Sequence, residues 1–234
     1  MVQSQRFGKV QASLVLGSFL IALAAVAAGA QEPPQALQAL QALQALQATT
    51  SAPKNYRFEF ENEFVRVIRA TLGPRDHVPV HQHPTFPTVY VYLTDAGPAR
   101  FTHITPSYTI ERAPVRAGGV RYNRNAHIET HVVDNLSDVA SEYLRIEMKT
   151  TPDAPHPDVR IAPDDTRRVE DAQVRISRHF CSPGRVCDMP TGPAVVVTMN
   201  DRSVSWLGPG ALSLIHNYGE QPFHQIWVEL KTKP

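Results

Sequence analysis

The sequence predicts an all-β protein. Of its 234 residues, 20 are Pro and 12 are Gly, and many short runs are rich in Val, Ile, Thr and Tyr. These residues favour strands, whereas Pro and Gly favour the turns between them. Helical periodicity is nearly absent after Ala48. Together these observations indicate many short strands joined by turns.

The first thirty residues have the pattern of a secretory signal peptide. Arg6 and Lys9 form a positive segment, an apolar run extends from Leu14 to Ala27, and Ala28-Gly-Ala30 forms a cleavage site of small residues. We therefore expect an exported protein, periplasmic or secreted. The alternative is an uncleaved membrane anchor, although the apolar run is short for a span of about 20 residues. No later stretch is apolar enough to cross a bilayer.

Residues 31–55 are predicted to be a low-complexity spacer. Gln35 to Ala48 is a run of Gln-Ala-Leu triplets. A period of three moves Leu around a helix that has 3.6 residues per turn, so no fixed apolar stripe results. A partner-binding helix is the alternative interpretation.

The composition excludes some classes of partner. The chain has 23 basic and 22 acidic residues and a net charge of +1, with the two signs interspersed. Such a surface offers no electrostatic basis for binding nucleic acid or an acidic membrane. The part after the spacer is long enough for one large domain or two small ones.

The chain contains an internal repeat. The segment from Pro87 to Asp95 aligns without a gap with the segment from Pro193 to Asp201, and both are strand-like. A period of about 100 residues indicates duplication of a small domain. We therefore expect a first domain over 56–150 and a second over 169–234. The intervening residues 151–168 are rich in Pro and Asp, as is typical of a linker.

Histidines recur on one face of two predicted strands. Side chains alternate between the faces of a strand, so His81 and His83 point the same way. The same holds for His127, Glu129 and His131. Neutral imidazole is the commonest protein metal ligand, so two strands that aim imidazoles at one face form a candidate metal site.

These motifs resemble those of the cupin superfamily. His81-Gln-His83 matches the H-x-H of the first cupin motif, and His131-Val-Val-Asp-Asn135 matches the H-x-x-x-N of the second. The resemblance implies tandem cupin-type β-barrels of the jelly-roll kind. It also implies that His81, His83 and His131 bind a divalent transition metal.

The sequence departs from the cupin pattern at several positions. Thr88 stands where the first motif has its Glu, and some cupin-like thiol dioxygenases likewise use three His without that carboxylate. Glu129 and His127 are additional candidate ligands or supporting groups. In the second copy, Cys187-Asp-Met189 replaces H-x-H and Ser213 replaces the ligand His, so this copy is expected to be degenerate and structural.

The pocket beside the metal is predicted to be lined by Thr88, Tyr90, Tyr92 and His103. Three imidazoles with open positions suit Fe, Mn, Zn, Ni or Cu, which the sequence does not distinguish. The expected function is a metal-dependent dioxygenase or isomerase of a small molecule. The alternatives are a non-catalytic small-molecule or sugar-binding module and a structural domain of the envelope. The expected partner is a small-molecule ligand, with a homodimer as an option.

The two cysteines, Cys181 and Cys187, flank a short turn-like segment. In an exported chain they are expected to form a disulfide. Two free thiols and a weak metal-binding pair are the alternatives.

Export is tested by N-terminal sequencing of the mature protein. Because Ala28-Gly-Ala30 is the predicted cleavage site, the mature chain should begin at Gln31. A cytoplasmic protein that retains Met1 would contradict this prediction.

Overall fold

The computed structural model describes most of the chain that follows the spacer. The described ranges are 47–124, 129–149, 159–161, 169–170, 173–188, 193–208 and 214–231. The predicted signal peptide, the Gln-Ala-Leu run up to residue 46, most of the predicted linker, and the candidate residues His127 and Ser213 lie outside them.

The described residues are almost entirely strands and turns, as predicted. They contain one short helix, α1, over Ala48–Ser51, and no helix among them is long and apolar enough to span a bilayer. The strands are β1 (Tyr56–Glu61), β2 (Val65–Leu72), β3 (His77–His83), β4 (Thr88–Tyr92), β5 (Ala99–Thr105), β6 (Tyr108–Arg112), β7 (Val120–Asn123), β8 (Glu129–Asn135), β9 (Ser141–Met148), β10 (Val159–Ile161), β11 (Val169–Glu170), β12 (Val174–Cys181), β13 (Val186–Asp188), β14 (Ala194–Thr198), β15 (Ser203–Leu207), β16 (Leu214–His216) and β17 (Phe223–Leu230).

Two antiparallel sheets form the first half of the fold. Sheet I has the strand order β1-β2-β9-β4-β7-β10, and sheet II has the order β3-β8-β5-β6. Ile68 and Tyr143 of sheet I share a buried cluster with Val78 and Val133 of sheet II, so the two sheets face each other across an interior. This interior contains the candidate site.

The central strand β9 of sheet I is covered on both of its faces. Along β9, Leu144 and Ile146 point into a second apolar cluster, whereas Tyr143 and Arg145 point towards sheet II. Because side chains alternate, one face of this strand contributes to an apolar core and the other face contributes to the candidate site. All residues of β9 except Glu142 are buried.

Part of the strand order of the first half recurs in the second. Sheet III has the order β11-β12-β17-β14-β15, and sheet IV pairs β13 with β16. The register also recurs: Thr88 lies opposite Glu147 in sheet I, and Ala194 lies opposite Glu229 in sheet III. Thr88 and Ala194 are positions that the internal repeat aligns.

The two halves share one apolar core. Val67 and Ile146 of sheet I belong to the same buried cluster as Val195 and Val228 of sheet III. Fully burying such side chains contributes about 1.5–3 kcal/mol each. The second half therefore covers the back of the sheet that carries the site.

Two segments depart from the predicted boundaries. The end of the predicted spacer packs on the fold, because α1 buries Ala48 and the following turn buries Ala52 against Tyr56. Within the predicted linker, β10 pairs with β7 and satisfies the hydrogen-bonding groups on that side of β7.

The structure joins Cys181 and Cys187 by a disulfide. The bridge links the end of β12 to β13, so it connects sheet III with sheet IV. The described residues include no free cysteine.

The shared core predicts a large cost for truncation at Ile146. This side chain is fully buried, so Ile146→Ala should lower the free energy of unfolding by about 2–5 kcal/mol in a urea titration. Ile104 is half exposed and serves as a matched control. Ile104→Ala should cost less than about 1 kcal/mol, and equal losses at both positions would contradict the packing described here.

Candidate metal centre

A β-bulge in β3 aims His81 and His83 into the interior. The ladder with β8 pairs Val78 with Val133 and then His81 with His131, so β3 has one extra residue between these pairs. The bulge shifts the alternation, and Val78 and His81 both become buried although they are three residues apart. His81 and His83 are 0% and 1% exposed.

The backbone at the bulge fixes the tautomer of His81. Its Nδ1 lies 2.8 Å from the carbonyl oxygen of Pro79. A carbonyl can only accept a hydrogen bond, so Nδ1 carries the proton and Nε2 carries the lone pair. The nitrogen of His81 that could bind an ion is therefore Nε2.

His131 brings a third imidazole to the same point. Its Nε2 lies 3.0 Å from His81 Nε2. One ring nitrogen from each of His81, His83 and His131 lies within 4.8 Å of the others. Two nitrogens that each bind one ion at about 2.1 Å lie about 3 Å apart when the angle at the ion is near 90°. The observed spacing fits a shared first-row ion.

Burial keeps the three imidazoles neutral. Loss of solvation lowers the pKa of His81 to about 4 and holds the pKa values of His83 and His131 well below the ordinary range. The neutral ring is the form that binds a metal. The buried Nδ1 atoms of His83 and His131 have no hydrogen-bond partner, so the hydrogen bonding of the site is incomplete.

A buried arginine lies beside the histidines. Arg145 Nη1 donates to Glu129 Oε2 at 2.8 Å and to the Tyr90 hydroxyl at 2.7 Å, and its Nε donates to Glu147 Oε1 at 2.7 Å. Both carboxylates are buried. One guanidinium thus holds two carboxyl groups inside the fold.

The pKa values of the two carboxyl groups, Glu129 and Glu147, are shifted in opposite directions. Burial opposes ionisation of Glu129, but the attraction of Arg145 outweighs it and holds the pKa of this carboxyl well below its usual range. At Glu147, burial dominates over Arg145 and raises the pKa of the carboxyl. Glu129 is therefore ionised and paired with Arg145. Glu147, in contrast, has one oxygen, Oε2, that is buried without a hydrogen-bond partner.

The predicted ligands come together in part. His81, His83 and His131 form the cluster. Glu129 shares the buried face of His131, as the alternation predicts, but its carboxylate pairs with Arg145 and is not in the cluster. His127 lies outside the described residues.

Three of the four predicted pocket residues line a cavity at the site, and the fourth does not. Tyr90, Tyr92 and His103 line a cavity that also contacts His83 and His131. This cavity is about 20 Å³ in volume. Thr88 does not line it, and its hydroxyl donates to the Phe86 carbonyl oxygen at 2.9 Å.

Sequence reasoning missed Tyr56, Arg145 and Glu147. The Tyr56 ring packs 4.8 Å from the His81 ring, measured between centroids. Arg145 and Glu147 alternate with apolar residues, a pattern that usually indicates a solvent-facing side of a strand. Their strand closes the first copy of the repeat and lies inside the sheet. A strand in that position is covered on both faces, and this could have indicated that Arg145 and Glu147 are buried.

The second half has no comparable centre among its described residues. Within the described part of the chain, the cluster of His81, His83 and His131 is the one group of His, Cys, Asp or Glu suited to hold an ion. Cys187, which stands in the place of the first motif, is bound in the disulfide.

Solved structures share this fold, whereas no protein-family model and no curated protein matches the chain. YhaK from Escherichia coli is 13% identical, with 80% of this chain and 98% of that chain covered and a TM-score of 0.51. A putative glyoxylate-induced protein from Pseudomonas aeruginosa is 13% identical, with 75% and 80% covered and a TM-score of 0.52. A quercetin 2,3-dioxygenase from Acinetobacter baumannii is 12% identical, with 76% and 84% covered and a TM-score of 0.48, a likeness too weak to carry an argument.

The structural neighbours are cupin-family proteins, and the fold of this chain is the cupin fold predicted from its motifs. Similarity at this level of identity establishes the fold and leaves the activity to the residues of the site.

The buried imidazoles predict a pH dependence of stability for the metal-free protein. Each ring is harder to protonate in the folded chain, so the unfolded chain binds more protons below pH 6.5. The free energy of unfolding should therefore fall as the pH is lowered from about 6.5 towards about 4, by up to about 1.4 kcal/mol per pH unit for each ring.

This dependence is measured by urea unfolding of chelator-treated protein at several pH values. Replacing His81 by Gln removes one of the titrating groups and should flatten the curve. A wild-type stability that does not change between pH 7 and pH 5 would contradict the assignment of neutral buried rings.

Proposed function

We propose that this chain holds a divalent transition metal between His81, His83 and His131 and catalyses an oxidoreductase or isomerase reaction on a small molecule. The observation that carries the proposal is the convergence of three buried, neutral imidazoles within 4.8 Å beside a cavity. Neutral imidazoles whose lone pairs converge repel one another unless a proton or a cation lies between them. Fe, Mn, Zn, Ni and Cu all suit such a donor set.

A bound ion would supply a Lewis acid or an oxygen-activating centre. The protein residues have separate tasks. Burial raises the pKa of Tyr90 to about 12, so its hydroxyl keeps its proton. Because Arg145 donates to this oxygen, the hydroxyl proton is available to orient a polar group in the cavity.

The size and lining of the cavity restrict the ligand. A volume of about 20 Å³ has room for about one water molecule. The lining is rich in rings, including Tyr56, Tyr92 and Phe101, which pack closely and exclude bulk water. We infer that the site acts on a small ligand and that a larger one requires the rings to move apart.

Binding without chemistry is the second candidate function. It is favoured by the same aromatic lining, since rings stack on flat ligands and sugars without any reaction. Oxygen uptake by the metal-loaded protein with candidate small molecules separates the two functions. Turnover supports the enzyme, whereas ligand binding with no turnover supports the binding module.

We further propose that the second half is a degenerate barrel with a structural role in an exported protein. The recurring strand order supports the duplication, and the absence of a His pair at Cys187-Asp-Met189 supports the loss of a metal site. The signal-peptide pattern and the disulfide between Cys181 and Cys187 support an oxidising compartment.

Metal analysis of His variants tests the proposal. Wild-type protein should bind one equivalent of a divalent transition metal, and His81→Ala, His83→Ala and His131→Ala should each lose it, because each change removes one of three donors. Inductively coupled plasma mass spectrometry of the purified proteins gives the metal content.

His103 provides the matched control. It is buried, its ring centroid lies 5.0 Å from that of His131, and it is not part of the ligand cluster. His103→Ala should keep wild-type metal content. Metal retained by both His81→Ala and His131→Ala would rule out the site.

A further inference from the structure

The site has a carboxylate on a different strand from the one that the cupin pattern uses. Thr88, on β4, stands at the motif position of Glu. Its cross-strand partner in the β4–β9 ladder is Glu147. Cross-strand partners have their side chains on the same face of a sheet, so Glu147 projects towards the same interior as the missing residue.

Glu147 lies against a ligand ring whose proton position is not fixed by the backbone. Its Oε1 is 3.6 Å from His83 Nδ1, and both side chains are fully buried. His83 Nδ1 and Glu147 Oε2 are both buried without hydrogen-bond partners. The separation exceeds a hydrogen bond by about 0.7 Å, a distance that small side-chain rotations can close.

We infer that Glu147 is the positioning residue for His83: its carboxylate accepts the Nδ1 proton of that ring and turns the Nε2 lone pair towards the ion. The inference rests on the proposed metal site. His83 Nδ1 faces Glu147 Oε1 at 3.6 Å. Nε2 is therefore the ring nitrogen that is left to bind an ion.

Two of the three ligand rings would then be oriented by different means. At His81 the Pro79 carbonyl oxygen accepts the Nδ1 proton at 2.8 Å. At His83 the Glu147 carboxylate would accept the Nδ1 proton. A ring that donates to a carboxylate binds a metal more strongly than a ring that donates to a carbonyl oxygen. Arg145 holds the Glu147 carboxylate in place through Nε at 2.7 Å.

Glu147→Gln tests this inference, with zinc alone as the probe. Arg145 needs an acceptor, so the amide oxygen of Gln would face Arg145 and the amide NH₂ would face His83. That NH₂ donates to the Nδ1 lone pair and favours the tautomer with a proton on Nε2, which cannot bind an ion. Zinc affinity, measured by competition with a chromophoric chelator, should fall by about 10–100-fold.

Glu142→Gln is the matched control. Glu142 is on the same strand and pairs with Arg69 and Arg202, so the same change also removes charge from an arginine pair. Its zinc affinity should stay within about twofold of wild type. Equal zinc affinity of Glu147→Gln and wild type would overturn the role of Glu147 alone, whereas wild-type protein that binds no zinc would overturn the metal site itself.

The wild-type protein provides a second measurement if Glu147→Gln does not fold. Long-range proton–nitrogen correlation spectra of ¹⁵N-histidine-labelled, zinc-loaded protein report which nitrogen of each ring carries hydrogen. The inference requires His83 to carry it on Nδ1 and to bind zinc through Nε2. Zinc bound at His83 Nδ1 would overturn it.

Discussion

The site depends on the burial of one cation. Arg145 is fully enclosed between sheets I and II, and it bonds to Glu129, Glu147 and Tyr90. Breaking such a buried ion pair by removal of one partner typically costs about 3–5 kcal/mol, because the remaining charge has no water to solvate it. The network is therefore retained as a unit, and it holds two carboxyl groups beside three neutral imidazoles.

This arrangement requires the strand β9 to be covered on both of its faces. The second half of the fold supplies the cover, since sheet III packs on the apolar side of sheet I around Ile146. The other side of the same strand is then free to present Arg145 and Glu147 to the interior. The second half thus contributes to the site through packing, although no ligand cluster lies among its described residues.

The sequence was sufficient to predict the all-β class and the shared orientation of His81 and His83, because these depend on composition and on strand alternation. The cupin fold was implied by the resemblance of the two His motifs to those of the cupin superfamily. It could not reveal the bulge in β3, which depends on the pairing with β8. It also could not place Glu147 beside His83, because a contact between β9 and β3 depends on how the two sheets face each other.

The central claim is that the three imidazoles share one ion, and anomalous diffraction tests it most directly. Crystals grown with zinc and measured at the zinc absorption edge should show one strong peak bonded to the ring nitrogens of His81, His83 and His131, about 2.0–2.1 Å from each. A fully occupied zinc site elsewhere, with no peak between these three rings, would contradict the account.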